Sequence, residues 1–219
     1  MVGMPVKAKR QSTHGVPGTR RSPARPQSRR RDIVDHAIRL MEEKGFAAMS
    51  VQHVADALEF SKANFYHHVD SKENLLYEIF VDTLEHSIRQ IDDVLGSGRS
   101  TPDKLRALVD FYVSMMTGRR AVMLVWFKER AHLSAAHLDH VSQLERRITG
   151  MLDRFYGEGM EEGCFKRMDV DVLRLSVFGM CFQLTKLPRS VDRAAIATIS
   201  LQLQDLASTG ILCGTDRAT

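Results

Sequence analysis

Apolar side chains recur at helical spacing along almost the whole chain from residue 32 onward. Ile33, Val34, Ala37, Ile38 and Met41 fall at steps of one and four, which places them on one helical face. Lys44-Gly45 then supplies a basic last turn and a glycine suited to follow it. The next two apolar segments are short. One runs from Val51 to about Leu58 behind Ser50, and the other from Lys62 to about His68 behind Ser61. Both serines suit the position that caps a helix N-terminus. A fourth segment opens at "DSKE", where either Asp70 or Ser71 is the cap and Asp70-x-x-Glu73 has capping-box spacing. Its stripe of Leu75, Leu76, Ile79, Phe80, Leu84, Ile88 and Ile91 continues to Leu95, and "GSGRSTP" ends it.

Beyond Pro102 the pattern predicts a helix carrying Leu105, Leu108, Val109, Tyr112, Val113 and Met116, closed by Gly118. "RRAVMLVWFKERAHL" is apolar over most of its circumference, as a buried helix should be. A long amphipathic helix follows through Leu138, Val141, Leu144, Ile148, Met151 and Phe155. Two more follow it, one stopping before Pro188 and a last one with Ile196, Ile199, Leu203 and Leu206 along one side. No segment alternates like a strand. The expected fold is all-α with about nine helices.

The two short segments cannot hold themselves together, because nucleation makes helices of one or two turns marginal. They must lean on a neighbour, and the Ile33–Met41 face is at hand. A helix followed by a tight pair of short helices is the helix-turn-helix arrangement, in which the second short helix is held out to fit the major groove of DNA. That helix would present Lys62, Ala63, Asn64 and His67, with Tyr66 beside them. Asn can pair with adenine, Lys with guanine or phosphate, and Ala63 can touch a thymine methyl group. Ser50 and Tyr66 suit phosphate contacts, Gln52 and Ser61 join the set expected at the DNA, and Lys72 marks a helix N-terminus that favours anions.

Charge adds to this picture. Residues 1–31 hold nine basic side chains and no acid, out of 31 basic and 27 acidic in the whole chain, so the remainder carries 22 basic against 27 acidic. Four of the six prolines lie in the same stretch. Residues 1–28 therefore read as a disordered basic tail, either an arm along a polyanion or a passive solvated extension. No apolar run is long enough to cross a membrane, and the start lacks the apolar core of a secretory signal. Cys164, Cys181 and Cys213 form no C-x-x-C pair, and a cytoplasmic setting suits them.

Residues Arg31 to Phe80 resemble the N-terminal domain of TetR-family transcriptional regulators. The residues that carry the likeness are Ala55, Phe60-Ser61, Tyr66-His67-His68-Val69 and Ser71-Lys72-Glu73-Asn74-Leu75. Glu59 stands where that family usually has a turn glycine, and Val69 where it usually has Phe. The resemblance implies a DNA-binding domain over 29–75 and a helical ligand-binding and dimerisation domain over 76–219. It also implies homodimerisation through residues 170–187 and 192–208, with double-stranded operator DNA and a small-molecule effector as partners. The function it implies is a ligand-responsive regulator, usually a repressor, with no enzymatic activity and no cofactor.

Phe111, Met115, Met116, Met123, Trp126, Phe127, Phe178 and Phe182 form a Met- and aromatic-rich set suited to an apolar pocket or to plain core. An acyl-CoA-like effector would call for a basic lip from Arg119, Arg120 or Lys128. Two alternatives compete: a helical metalloenzyme using His132, His137 and His140 with Glu129, and a constitutive DNA-binding dimer with a filled core.

Overall fold

A computed structural model of the chain describes residues 26–58 and 69–213, with side-chain detail from Arg30 onward. Among these residues there are eight α-helices: α1 (Pro26–Lys44), α2 (Val51–Ala57), α3 (Lys72–Leu95), α4 (Thr101–Gly118), α5 (Arg120–Glu129), α6 (Ala135–Glu161), α7 (Val170–Phe182) and α8 (Arg193–Ile211). Short 3₁₀ turns, Arg130–His132 and Gln183–Lys186, follow α5 and α7. The all-α expectation is met, and among the described residues the one extended contact is an isolated bridge between Phe165 and Leu212. The short helix expected over 62–68 lies outside the described residues. So does most of the basic tail, although Pro26–Gln27–Ser28, assigned to it, in fact open α1. Proline is at home there, since a first-turn amide has no intrahelical partner.

Local chemistry explains most of the helix ends. Gly45 adopts φ +77° and its N–H donates to the Met41 carbonyl at 2.9 Å, so the left-handed residue after α1 is the glycine that the sequence supplies. Ser50 caps α2: the His53 N–H donates to its hydroxyl at 3.2 Å, and the Ser50 N–H donates to His53 Nδ1 at 3.3 Å. This is a capping box with imidazole in the place of the usual carboxylate. Ser71 caps α3 by accepting from the Asn74 N–H at 3.0 Å. Asp70 therefore forms no box with Glu73, whose carboxylate is bound elsewhere.

One hydrophobic core runs without a break from α1 to α8. Ile33, Ala37 and Met41 of α1, Val54 and Ala55 of α2, and Val69 are almost fully buried, so the short α2 leans on α1 as its length requires. α3 packs along α6, and α4 packs along α8. Two departures from the sequence pattern occur at the far end. α5 is not buried all round, because Leu124 and Phe127 are exposed. In α8 the buried positions are the small and polar Ser200, Ala207 and Ser208 with Ile211, while Leu201 and Leu206 face solvent at 65% and 61%. Ser200 fits there because its hydroxyl donates to Asp110 of α4 at 2.7 Å. Val172 and Leu175 of α7 are likewise exposed. An exposed apolar surface of this kind marks an interaction site more often than chance.

Candidate nucleic-acid interface and effector cavity

The structure places three of the nine residues expected at DNA: Ser50, Gln52 and Lys72. The other six (Ser61, Lys62, Ala63, Asn64, Tyr66 and His67) lie outside the described residues. Ser50 is engaged as the α2 cap, and the Gln52 amide donates to Asp56 one turn on. Lys72 has a clear structural role. Its ammonium donates to the Ala47 carbonyl at 3.1 Å and sits 4.3 Å from the Phe46 ring centroid. It thus pins the first turn of α3 to the turn that follows α1 while keeping a positive charge beside that helix N-terminus.

Glu73, next along, turns to the opposite side. Its carboxylate accepts from the Ser134 N–H at 2.9 Å and lies 2.8 Å from His137 Nδ1. Burial alone would raise its pKa, but the bonds from Ser134 and His137 outweigh that and hold it below its ordinary value. One turn on, the Tyr77 ring stacks on His137 with centroids 3.8 Å apart, and its hydroxyl shares a 2.7 Å hydrogen bond with His140 Nδ1. His132 is 74% exposed, with Glu129 at 3.6 Å. The three histidines therefore do not converge, and among the described residues no group of three or more His, Cys, Asp or Glu is arranged to hold a metal.

A cavity of about 270 Å³ opens between α3, α4, α5, α6 and α7. Phe111, Met115, Met123, Trp126, Phe127 and Phe178 line it as the sequence suggested. Met116 and Phe182 do not. Met116 is fully buried in the core, and Phe182 stands behind the wall, edge-on to Phe127 at 5.1 Å and stacked on Phe178 at 6.0 Å. The sequence reading missed the walls that α3 and α6 supply, among them Leu84, Ile91, Ile148 and Leu152. Those residues look like ordinary core positions in a helical stripe, and only packing distinguishes them. It also missed the polar groups Thr83, Ser87, Glu145, Thr149 and Arg174.

The basic lip expected from Arg119, Arg120 and Lys128 is not found at this cavity. Arg119 donates to Asp82 at 2.7 Å and to Thr83 at 2.9 Å, Arg120 donates to the Leu187 carbonyl at 2.7 Å, and Lys128 is exposed away from the lining. The arginine at the cavity is Arg174, bonded to Asp153 at 3.0 Å and to Asp171. The carboxylate there is Glu145, bonded to Arg130. Burial pushes its pKa up, and the nearby arginines only partly offset this. A second, more polar cleft of about 600 Å³ lies between α3 and α4, with His86, Asp93, Arg99, Asp110 and Arg119 around it. It shares only Phe111 and Met115 with the apolar cavity. The apolar cavity is the better seat for a hydrophobic ligand, because an apolar group gains free energy only where it leaves water for apolar walls.

Comparison with known proteins gives a consistent result. The family model for bacterial regulatory proteins of the tetR family matches residues 33–79, and one for a tetracyclin repressor-like C-terminal domain matches residues 98–186. The chain is 28% identical over 145 residues to the HTH-type transcriptional repressor KstR2 of Rhodococcus jostii, covering 66% of this chain and 71% of that one. Its fold is similar to that of the ketosteroid transcriptional regulator KstR2 of Mycobacterium tuberculosis (TM-score 0.71, 20% identity, 87% of this chain and 98% of that one). It is also similar to AibR, solved in complex with isovaleryl coenzyme A and operator DNA (TM-score 0.69, 22% identity, 81% of this chain and 97% of that one).

Proposed function

Because the chain belongs to the TetR family of bacterial regulatory proteins, we propose that it is a ligand-responsive transcriptional repressor that reads a palindromic operator as a homodimer. The observation that carries the reading is the position of α3. Its first turn follows the stretch that the sequence marks for the helix-turn-helix, and further along it walls the apolar cavity through Leu84, Ser87 and Ile91. A ligand in that cavity therefore bears on the helix that supports the reading head. Residues 29–75 form that head in this proposal, with Ser50, Gln52, Ser61, Lys62, Ala63, Asn64, Tyr66, His67 and Lys72 at the DNA. Residues 76–219 hold the effector and join the two copies.

The exposed Val172 and Leu175 of α7, with Leu201 and Leu206 of α8, support pairing through 170–187 and 192–208. Pairing also suits the task, since a two-fold dimer places two reading helices on half-sites one helical turn apart, or a multiple of it. The effector class is hydrophobic with a polar end, and acyl-CoA thioesters fit that description. AibR provides a precedent within the fold. The metalloenzyme alternative has no converging ligand set among the described residues to support it.

The test has two stages. Selection from random duplexes with the purified protein should recover a near-palindromic site. Acyl-CoAs of graded chain length are then titrated into the complex. A true effector should weaken binding by at least about tenfold, which corresponds to about 1.4 kcal/mol of difference in its affinity for the two states. Failure to recover any preferred duplex would overturn the DNA-binding reading. Recovery of a site with no response to any acyl-CoA would overturn only the effector class.

A further inference from the structure

Two helices of the body begin with amides that their own first turns leave short of partners, and both are served by carboxylates from the N-terminal part of the chain. α5 has no side-chain cap of its own, because Arg119 precedes it and contributes no capping bond. The Ala121 N–H, in its first turn, donates instead to the Glu42 carboxylate of α1. α6 is capped by Ser134, whose hydroxyl accepts from the His137 N–H at 3.4 Å. A complete capping box would place a carboxylate at the position of His137, reaching back to the Ser134 N–H. That carboxylate comes from Glu73 on α3, which takes the Ser134 N–H and also lies against His137 Nδ1. The box is thus completed by a residue 61 positions away.

Both carboxylates are fixed from behind as well. Arg189, in the turn after α7, donates to the Glu42 carbonyl and stands 3.7 Å from its carboxylate. Tyr77 stacks on His137 and bonds to His140, which holds the imidazole in place beside Glu73. Negative groups are favoured at helix N-termini, where orphan amides and the helix dipole both attract them. α5 contributes Met123, Trp126 and Phe127 to the apolar cavity, and α6 contributes Ile148, Thr149 and Leu152.

We infer that Glu42 and Glu73 are positioning residues for DNA reading: by capping α5 and α6 from outside, they set the orientation of the reading head on the body. The inference rests on the DNA-binding reading above. It places the head's registration at two defined amides rather than in the general packing of α1 and α3.

Amide hydrogen exchange on the full-length protein, followed peptide by peptide, reads the caps directly. In the wild type the Ala121 and Ser134 amides should be protected although they open their helices. Glu42→Ala should abolish protection at Ala121, and Glu73→Ala at Ser134, each by at least tenfold, with α8 amides unchanged. Glu42→Gln and Glu73→Gln keep an accepting oxygen and should retain most of the protection. Binding to the selected duplex should weaken about five- to twentyfold in the alanine variants and less than threefold in the glutamine variants. If a duplex is recovered and the alanine variants bind it as the wild type does, the inference fails alone. The same holds if their exchange at Ala121 and Ser134 is unchanged. If no duplex is recovered, the DNA-binding reading falls and takes this inference with it.

Discussion

Gly159 offers a test of how tightly the end of α6 is packed. A Cβ built there would lie 2.3 Å from both Cδ2 and Cε2 of Phe165 and 3.1 Å from its Cγ. The ring has little room to retreat. Phe165 is 1% exposed, with Phe155 at 5.4 Å and Tyr156 at 6.0 Å between centroids, and its N–H is tied to the Gly159 carbonyl at 2.9 Å. Alanine in a helix interior gains up to about 1 kcal/mol over glycine. Overpacking of this kind costs about 1–3 kcal/mol, and with the ring held in place the clash should win by up to about 2 kcal/mol. Gly150 and Gly157 lie in the same helix with no atom within 4 Å of a built Cβ, so alanine there should gain up to about 1 kcal/mol. Thermal unfolding at fixed protein concentration should show Gly159→Ala lowered and Gly150→Ala raised, each by about 2–4 °C per kcal/mol for a chain of this length. If the two variants shift together, the steric argument is wrong.

Two further outcomes are expected. Leu201→Glu combined with Leu206→Glu should leave the helical content intact, since both side chains are more than half exposed, and should convert a dimer to monomers in sedimentation; a variant that stays dimeric would exclude α8 from the interface. Glu73 has a folded pKa below its ordinary 4.5, so its contribution to stability is present above that pH and is lost as pH falls through the lower folded value. The urea midpoint of Glu73→Gln should therefore lie below that of the wild type at pH 7, and the two should converge as acid titrates the folded carboxylate; a gap that does not narrow as pH falls would refute the assignment.

The helical framework was legible in the sequence because helical periodicity and end signals agree. Ser50, Ser71 and Gly45 all act where their chemistry places them. Much of the cavity lining was legible too, since Met and aromatic side chains cluster on α4 and α5. What escaped was relational. Glu73 reads as a box partner for Asp70, and only the approach of α6 shows that it serves Ser134. Arg119 and Arg120 read as free cations, whereas tertiary packing brings Asp82 and the Leu187 carbonyl to them. The side of α8 that packs on the body was not legible, because the stripe of Ile196, Ile199, Leu203 and Leu206 does not say which partner it faces. Here the small-residue side is the one that meets α4.

The continuity of buried side chains from Ile33 through Val122 to Val177 bears on how this molecule can be handled. α1 packs against α5 as well as α3, so the segment that would meet an operator is expected to melt together with the body. Excised at residue 75, α1 would lose the surface of α5 and most of the α3 surface that it packs against, and the piece should collapse or aggregate rather than fold. Exchanging reading segments between relatives would succeed only when the matching surface of α5 travels with them.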